Sequence, residues 1–515
     1  MSTVVLTRVA VETISPLAIY SGDRETLGQN AIVRDWNGLP CIPATAIAGV
    51  WSHTVRNISQ KLNPIKYLHW FGHDGFAKDE KRMASRIVVT DGLLLDKNSC
   101  LPGEREKHGQ LRMLTDPKKL AADPVYSLVS INQSSRYERT CCRINERKAN
   151  HNAALFTAKN LPKGLRFAFD IKFELDSEAD LQQYRDVLKI IGSRSFALGS
   201  KTANGQGSFK IIGAELEEIR LEDYAKNPEE AAKKIRSFTV NRKVKITAPN
   251  ETPVIASEDQ TGLRCWKFRL SSQSSMRIGS GHDFENFTTG EESKAYQQVK
   301  PLSEMEKDSG KNVQTCFTDA RLLWNGENFA KEIQEFIIPG STIKGALAHR
   351  TMYHFLRRRG WFADTKISDD RSPRDLIRDL LDNREPPKEL EPYYTLFGRN
   401  DPVNHDNMRA GSLRVQDAVI KADYWLNRMH NKLDRYTSGV MPSALFAQMR
   451  LLNPSFEVNI TLLPSRADEL PENAEIMQAF QDALYDLKHG YLNICAGSGR
   501  DTAVFKEAEE KKAGK

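Results

Sequence analysis

The sequence repeats itself, and this repetition constrains the fold more than any other feature. The segment 42–49, Ile-Pro-Ala-Thr-Ala-Ile-Ala-Gly, matches the segment 338–345, Ile-Pro-Gly-Ser-Thr-Ile-Lys-Gly. Four further landmarks follow in the same order in each half: Phe-Gly at 71 and 397, an apolar run ending in Asp91 and Asp417, Leu-Phe at 155 and 445, and Gly-x-Gly at 205 and 497. Landmarks that recur in one order indicate a tandem duplication. The halves meet between 215 and 260, which predicts one domain at 1–240 and a second at 260–515.

The periodicity of apolar residues also agrees between the halves. In the first half, apolar residues alternate with polar ones over 165–175 and recur at helical spacing over 181–191. In the second half, the alternating segment is 456–462 and the segment with helical spacing is 476–487. These patterns predict a half-buried strand followed by an amphipathic helix. A strand at 266–270 opens the second half, and a helix is expected directly after Pro43 and after Pro339. The order predicts an α+β fold: two tandem RRM-like, or ferredoxin-like, domains that each carry inserted segments.

Composition narrows the class of protein. The 515 residues include 74 Lys and Arg against 67 Asp and Glu, and 40% are hydrophobic, as in ordinary globular proteins. The seven cysteines are scattered and form no Cys-x-x-Cys pair, which argues against a disulfide framework and a structural zinc site. No apolar run approaches the roughly 18–20 residues of a membrane span. Arg8 and Glu12 interrupt the apolar N-terminus, unlike a secretion signal, so we expect a soluble cytoplasmic protein without a membrane partner.

The segment 338–345 has the chemistry of a phosphate site. Its backbone N–H groups lie at a predicted helix start, where free donors and the helix dipole favour an anion. The side chains that would line this surface are Ser341, Thr342, Lys344 and Arg350, followed by Arg357–Arg359. An ordinary helix cap explains the same pattern, and the first half has Ala48 in place of Lys344. From this segment alone, the cap is the favoured interpretation.

Each half ends in a glycine-containing loop, at 197–207 and at 496–500. Glycine lets a ligand approach the backbone closely, although many such loops are only tight turns. Lys201 and Arg500 lie in these loops and are candidate contacts for a polyanion. Neither loop has the Gly-x-x-x-x-Gly-Lys-Ser/Thr pattern of a nucleotide-binding loop.

The second half contains a set of motifs in a fixed order: the Ile-Pro helix start, Leu396-Phe-Gly398, Leu413-x-Val-x-Asp417, Leu433-Asp434-Arg435-x-Thr437-x-Gly439, the Leu-Phe strand and the terminal glycine loop. The first half repeats this set more loosely, for example as Ile144-Asn-Glu-Arg147. The set resembles the RAMP superfamily of CRISPR proteins, and most closely the backbone subunits of type III effector complexes. Two units in one chain resemble the fused backbone subunits of type III-D systems.

The resemblance implies an RRM-like palm and a protruding hairpin, or thumb, in each half. Such subunits stack along a CRISPR RNA, bind single-stranded target RNA, and assemble with other RAMP subunits and a large subunit. The resemblance also implies that RNA contacts come from Ser341, Thr342, Lys344, Arg350, Lys201, Arg435 and Arg500.

In catalytic members, an aspartate in the loop between the first strand and the first helix helps to cleave target RNA. The matching residue in the second half is Asp319, and a divalent metal ion, expected to be Mg²⁺, would assist it. Gln29 occupies this position in the first half, which is therefore expected to be inactive unless Asp23 or Asp35 substitutes. The ligands of the metal ion are left unassigned.

Two other functions stay open at this level. One is a non-catalytic scaffold that binds RNA while other subunits cut it. The other is an endonuclease that processes the CRISPR transcript, for which His53 and His349 near the first helix of each half would be available.

Overall fold

A computed structural model describes residues 3–24, 29–58, 69–72, 84–105, 111–112, 117–130, 137–144, 150–175, 178–247, 263–279, 300–301, 313–314, 316–362, 365–366, 372–373, 375, 390–399, 409–431, 433–441, 446–463, 470–495 and 503–508. The chain divides into two compact units. Unit 1 comprises Met1–Arg139, Thr157–Arg264 and Ala320–Ile333, and unit 2 comprises Thr140–Phe156, Cys265–Asp319 and Gln334–Lys515. Each unit therefore contains most of one half of the repeat and a short segment of the other.

The strands of the first half are β1 (Thr3–Thr13), β2 (Tyr20–Arg24), β3 (Asn30–Ile32), β4 (Cys41–Ile42), β5 (Ile87–Val89), β6 (Gly92–Leu94), β7 (Glu104–Arg105), β8 (Leu111–Arg112), β9 (Glu138–Ile144), β10 (Asn150–Lys159), β11 (Arg166–Leu175) and β12 (Phe209–Arg220). Its helices are α1 (Ala44–Ile58), α2 (Pro117–Ala122), α3 (Pro124–Val129), α4 (Glu178–Lys189), α5 (Leu221–Lys226) and α6 (Pro228–Val240), with short 3₁₀ turns at Ile190–Gly192 and Thr202–Asn204.

The main sheet of unit 1 has the strand order β12–β1–β11–β6–β4, and β5 also pairs with β11. β1 runs antiparallel to both of its neighbours, so that Thr3 lies opposite Leu175 on β11 and Arg220 on β12. The first strand of the half is therefore central, and α4 connects the two strands beside it. This is the ferredoxin-like, split β-α-β arrangement that the sequence predicts.

Both faces of β1 are buried, because different layers cover them. Alternate residues of a strand point to opposite faces. On one face, Val9 belongs to the same core as Trp51 of α1 and Tyr184 of α4. On the other face, Leu6 packs with Ala231 of α6. The segment that joins the two halves therefore contributes α6 to the packing of unit 1.

The strands of the second half are β13 (Arg264–Ser271), β14 (Ser275–Met276), β15 (Lys300–Pro301), β16 (Val313–Gln314), β17 (Thr318–Asn325), β18 (Asn328–Ile338), β19 (Gly398–Arg399), β20 (Arg409–Ala410), β21 (Leu413–Val415), β22 (Ala418–Lys421), β23 (Tyr424–His430), β24 (Phe446–Leu452), β25 (Ser455–Leu462) and β26 (Lys506–Glu507). Its helices are α7 (Gly340–Arg358), α8 (Glu391–Phe397) and α9 (Glu475–His489).

The second main sheet repeats the topology of the first. Its order is β17–β18–β22–β25–β13–β26, and β21 also pairs with β25. The opening strand β13 again lies between the strand before the last helix, β25, and the final strand, β26. The core of unit 2 contains Phe355 of α7 and Phe480 of α9, both fully buried, together with Val458 of β25. The predicted α+β fold with two RRM-like domains is therefore confirmed.

Each half also carries an inserted hairpin. In the first half β9 pairs with β10 as a separate two-stranded sheet. In the second half β23 and β24 pair from Tyr424 opposite Leu452 to His430 opposite Phe446, and the short strands β14, β15 and β16 complete this sheet. Along the described part of the chain, no helix is long and apolar enough to cross a membrane.

Candidate RNA-binding and cleavage site

Asp319 lies in a strand, whereas the sequence predicts a loop at this position. It is the second residue of β17, and its side chain is half-buried. Two hydrogen bonds fix the backbone two residues before Asp319. The N–H of Phe317 donates to the carbonyl of Ile278 at 2.7 Å, and the N–H of Ile337 donates to the carbonyl of Phe317 at 3.2 Å. A carboxylate on a hydrogen-bonded strand is positioned more firmly than one on a loop.

The corresponding position in the first half is also described. Gln29 directly precedes β3 and is half-buried. Asp23 is exposed on β2 and accepts a hydrogen bond from the Ser21 hydroxyl at 3.1 Å. The Asp35 carboxylate accepts two backbone N–H groups of its own turn, at 2.8 and 2.9 Å, and burial raises the pKa of this carboxyl. Asp35 is therefore engaged in holding a turn.

A protein carboxylate occupies the start of helix α7. The backbone N–H of Gly340 donates to the Asp417 carboxylate at 2.7 Å. A phosphate bound at the start of the helix would need the same N–H donor and would be attracted by the same helix dipole. Ser341 is exposed and Thr342 is half-buried in the first turn. The helix-cap interpretation thus describes this segment, and RNA contacts by Ser341 and Thr342 stay predictions.

Lys344 is directed into unit 2. The residue is only 8% exposed, and its ammonium group donates to the carbonyl oxygen of Leu413 at 3.0 Å. Burial, with a smaller contribution from the nearby charge of Arg414, lowers the pKa of Lys344 to about 8. The ammonium group of Lys344 is therefore occupied inside unit 2.

The basic stretch at the end of α7 pairs with acidic residues of α9. The ion pairs are Arg350 with Asp486, Arg357 and Arg358 with Asp482, and Arg359 with Glu475. His354 also contacts Asp486, at 2.7 Å. The sequence suggests a surface that lines a polyanion, whereas the structure shows that these cations join two helices of one unit. The reason lies in α9, whose acidic residues recur at helical spacing on the side facing α7.

The glycines of the 197–207 loop are required by the protein's own backbone. Gly199 and Gly207 have φ angles of +87° and +73°. A Cβ atom would lie 2.3 Å from the Ala18 carbonyl oxygen at Gly199 and 1.8 Å from the Leu198 carbonyl oxygen at Gly207. The close approach that the sequence suggests is therefore made to neighbouring protein segments. Lys201 lies half-buried in this loop, and its contact with RNA stays a prediction.

The turn at 433–441, between β23 and β24, presents side chains to solvent. The Asp434 carboxylate accepts the backbone N–H groups of Thr437 at 2.8 Å and Tyr436 at 2.9 Å. These hydrogen bonds lower the pKa of Asp434 and fix the turn. Tyr436 is 97% exposed, and Arg435 beside it is also exposed. The sequence motif indicates Arg435 but gives no reason to single out Tyr436. Arg500 lies outside the described residues.

Acidic and histidine side chains do not assemble into a metal cage in the part of the chain that is described. Within those segments, no group of three or more His, Cys, Asp or Glu side chains could hold a metal ion. His53 on α1 and His349 on α7 are both exposed. The predicted Mg²⁺ ion stays a prediction.

The two RRM-like sheets in tandem, each with an inserted hairpin, define a protein built from duplicated α+β domains. The family model of the RAMP superfamily matches residues 10–210 and 269–500. The chain therefore belongs to the RAMP superfamily, as a tandem fusion of two family units. Membership makes it a CRISPR-associated RNA-binding subunit, in a family that includes some ribonucleases. A comparison with curated proteins found no match.

Proposed function

We propose that this chain is a backbone subunit of an RNA-guided type III CRISPR complex. In this proposal it binds the CRISPR RNA and a single-stranded target RNA, alongside other RAMP-fold subunits and a large subunit. The second half cleaves the target RNA with Asp319, and the first half, with Gln29 at the matching position, only binds.

The observation that carries the RNA-binding part is the turn at 433–441. Aromatic rings stack on the bases of single-stranded RNA, and arginine contacts the phosphates. Tyr436 is 97% exposed beside the exposed Arg435, and the hydrogen bonds of Asp434 hold the backbone of the turn that carries them. Between 424 and 446 the sequence has three Lys or Arg and a histidine against a single acid, Asp434. The hairpin is thus basic and carries an exposed ring on a hydrogen-bonded turn, which fits a polyanion with bases.

Asp319 supplies the chemistry proposed for cleavage. Its carboxylate takes the proton from a ribose 2′-OH, whose oxygen attacks the adjacent phosphorus. The bond from phosphorus to the 5′ oxygen breaks and the leaving oxygen takes a proton from water, so that the products are a 2′,3′-cyclic phosphate and a 5′-hydroxyl end. Asp319 is half-buried on a strand, so its main chain is fixed while its side chain reaches the surface.

A Mg²⁺ ion fits this donor chemistry. Mg²⁺ is commonly bound by one or two carboxylates together with phosphate oxygens of the substrate. The alternative role of Asp319 is to hold this ion instead of acting as the base, and when bound the ion would neutralise charge that develops on the phosphate.

The binding proposal is tested by filter binding of single-stranded RNA to the full chain at several salt concentrations. Replacing Tyr436 with Ala removes one stacking platform, which typically costs about 1–3 kcal/mol per base. Tyr436→Phe keeps the ring and is the matched control. Equal affinities for wild type, Tyr436→Ala and Tyr436→Phe would exclude the turn at 433–441 from the RNA-binding surface.

The cleavage proposal is tested with end-labelled target RNA and the assembled complex. Asp319→Asn keeps the size of the side chain but removes the base, so we expect a loss of about 10²–10⁴-fold in the rate of one cut. Asp423→Asn, at an exposed aspartate of unit 2, is the matched control and should cut normally. Removing divalent ions with EDTA should also stop the cut. If Asp319→Asn cuts like wild type, the chain is a scaffold and another subunit cleaves.

A further inference from the structure

Unit 1 buries a carboxylate between two cations of its main sheet. Glu12, near the end of β1, is only 7% exposed. The guanidinium group of Arg166 donates to its carboxylate at 3.1 Å, and the ammonium group of Lys210 lies 2.7 Å from it. Burying a charge is costly unless an opposite charge accompanies it, so these three side chains compensate one another.

Ser271 has the position of Glu12 in unit 2. In unit 1 the residue after Glu12 donates its backbone N–H to the carbonyl of Leu165, at 2.9 Å. In unit 2 the residue after Ser271 donates its backbone N–H to the carbonyl of Pro454, at 3.0 Å. Leu165 lies directly before β11 and Pro454 directly before β25, the strands that occupy the same place in the two sheets. The carboxylate of unit 1 is therefore replaced by a hydroxyl in unit 2.

The lysine of this group is present in both units. Lys210 lies opposite Glu12 in the pairing of β12 with β1. Lys506 lies opposite Ser271 in the pairing of β26 with β13, and it is exposed. Because directly opposite residues of a sheet share one face, Lys506 and Ser271 lie on the same side of unit 2.

A guanidinium group also stands at the matching place. Ser455 is the first residue of β25, as Arg166 is the first residue of β11. The Ser455 hydroxyl accepts a hydrogen bond of 3.0 Å from the guanidinium group of Arg269. Arg269 precedes Ser271 by two residues on β13, so both lie on one face. Arg269 thus supplies, from the neighbouring strand, the guanidinium group that Arg166 supplies in unit 1.

A third cation, Lys421, lies on the same face, opposite Ser455 in the pairing of β22 with β25. The acid of this face, Glu457, pairs with Lys267 at 3.4 Å. Among the described residues, none of the three cations forms an ion pair with a carboxylate. Like charges on neighbouring strands repel, so a carboxylate bound among them would be stabilising. Together the three form the basic face of unit 2: Arg269, Lys421 and Lys506.

A polypeptide fits the basic face better than a nucleic acid does. In unit 1 other segments of the chain cover the corresponding face, where Ala10 packs with Leu101 and Val244. In unit 2 Val419 is 37% exposed and lies on the same face as Lys421. Bases stack on aromatic rings, and the described residues of β13, β22 and β25 place no aromatic side chain on this face. The face therefore matches carboxylates accompanied by apolar side chains.

We propose that an acidic segment of a partner protein docks on the basic face of unit 2. One of its carboxylates takes the place that Glu12 has in unit 1, where Arg269 and Lys506 bind it. Lys421 attracts a second acidic side chain of the same segment. This inference goes beyond the proposed function and does not require RNA.

The test is fluorescence anisotropy with the RNA-free full chain and two labelled peptides. One peptide alternates glutamate with valine and serine, and the other has glutamine in place of every glutamate. The glutamate peptide should bind, more weakly as salt is added, and the glutamine peptide should not. Arg269→Glu should weaken binding at least about tenfold, because an attraction becomes a repulsion. Lys233→Glu, at an exposed lysine of α6, is the matched control and should bind like wild type.

Restoring the missing carboxylate gives a second, independent result. Ser271→Glu supplies from within the chain the charge that Glu12 supplies in unit 1. This variant should unfold at a higher temperature than wild type and should lose affinity for the glutamate peptide. Ser271→Gln has nearly the same size without the charge, so it should keep the peptide affinity of wild type.

Several outcomes would overturn the inference. Equal binding of the two peptides, or equal affinities for Arg269→Glu and Lys233→Glu, would show that the basic face does not select carboxylates. If the glutamate peptide does not bind and Arg269→Glu weakens binding of single-stranded RNA, the occupant is a nucleic acid. If sedimentation velocity shows self-association that Ser271→Glu abolishes, the occupant is a second copy. Tighter peptide binding after deletion of 509–515 would make the chain's own Glu509 and Glu510 the occupants.

Discussion

The carboxylate of Asp417 accepts a hydrogen bond of 2.7 Å from the backbone N–H of Gly340, the first residue of α7. Asp91 makes the same contact in the first half, where it accepts the N–H of Ala44 at the start of α1, also at 2.7 Å. The landmark aspartate of each half thus caps the helix that follows the Ile-Pro landmark. Two motifs far apart in the sequence are therefore parts of one structural feature.

Removing this cap should destabilise unit 2 locally. Asp417→Ala leaves the Gly340 N–H without its partner, which typically costs about 0.5–2 kcal/mol. Asp417→Asn keeps an oxygen acceptor and should cost much less. Hydrogen exchange of the first turn of α7 and urea unfolding measure the two effects. Similar exchange rates in Asp417→Ala and wild type would show that the cap contributes little.

Stability should rise with pH because of Lys344. Burial lowers the pKa of this ammonium group to about 8 in the folded chain, against a value of about 10.4 in the unfolded chain. Between these values the unfolded state binds more protons, so the free energy of unfolding increases as pH rises from about 8 to about 10. The increase is at most about 3 kcal/mol, and below pH 8 the cost of the buried charge is present in full.

Lys344→Met should remove this pH dependence, because it replaces the titrating buried cation by an uncharged chain of similar length. Denaturant unfolding at pH 7, 8, 9 and 10 provides the comparison. Lys421→Met, at an exposed lysine of β22, is the control. An equal rise with pH in wild type and Lys344→Met would assign the effect to other groups.

The sequence predicts the fold well because its signals are local. The alternation of Leu165–Leu175 and the helical spacing of Ile476–Leu487 depend only on neighbours along the chain, and they match β11 and α9 closely. The repeat then predicts the topology, because both halves are expected to have the same order of strands and helices. The strand at Asp319 is not predictable in this way, because its surroundings, such as Ile278, come from elsewhere in the chain.

The candidate site is less predictable, because the sequence shows where a charged residue is but not which group it contacts in the folded chain. Lys344 and Arg350 look like phosphate ligands, and only the structure shows Leu413 and Asp486 beside them. Tyr436 gives no signal in the sequence either, since an aromatic residue in a turn can be buried or exposed.

The glycines of the 197–207 loop should be strictly required. An alanine at Gly207 would need a strained backbone and would place a Cβ atom 1.8 Å from the Leu198 carbonyl oxygen. We expect Gly207→Ala to lower the free energy of unfolding by more than about 1 kcal/mol. Gly49→Ala is the control in the same unit, because Gly49 lies inside α1 and a Cβ atom there would meet nothing within 4 Å beyond the adjoining backbone of its own helix. This control should stabilise by about 0.5–1 kcal/mol. Thermal or urea unfolding distinguishes the two, and equal effects would contradict the packing argument.

The salt dependence of RNA binding should separate the paired arginines of α7 from the exposed arginine of the hairpin. Arg357 and Arg358 both contact Asp482, so their charge is already largely compensated within unit 2. Replacing both with Gln should lower the stability of unit 2 and leave the slope of log affinity against log salt unchanged. Arg435→Gln should instead reduce the magnitude of that slope by about 0.7, the value for one phosphate contact on single-stranded RNA.

The measurement is a titration of single-stranded RNA at four or five salt concentrations, with unfolding curves for each variant. Arg435→Lys keeps the charge and should keep the slope, which makes it the matched control. A smaller slope in the Arg357→Gln, Arg358→Gln double variant, together with an unchanged slope in Arg435→Gln, would place the RNA on helix α7. It would also restore the interpretation of the basic stretch as a polyanion surface. Arg357 and Arg358 would then have to break their ion pairs with Asp482 when RNA binds.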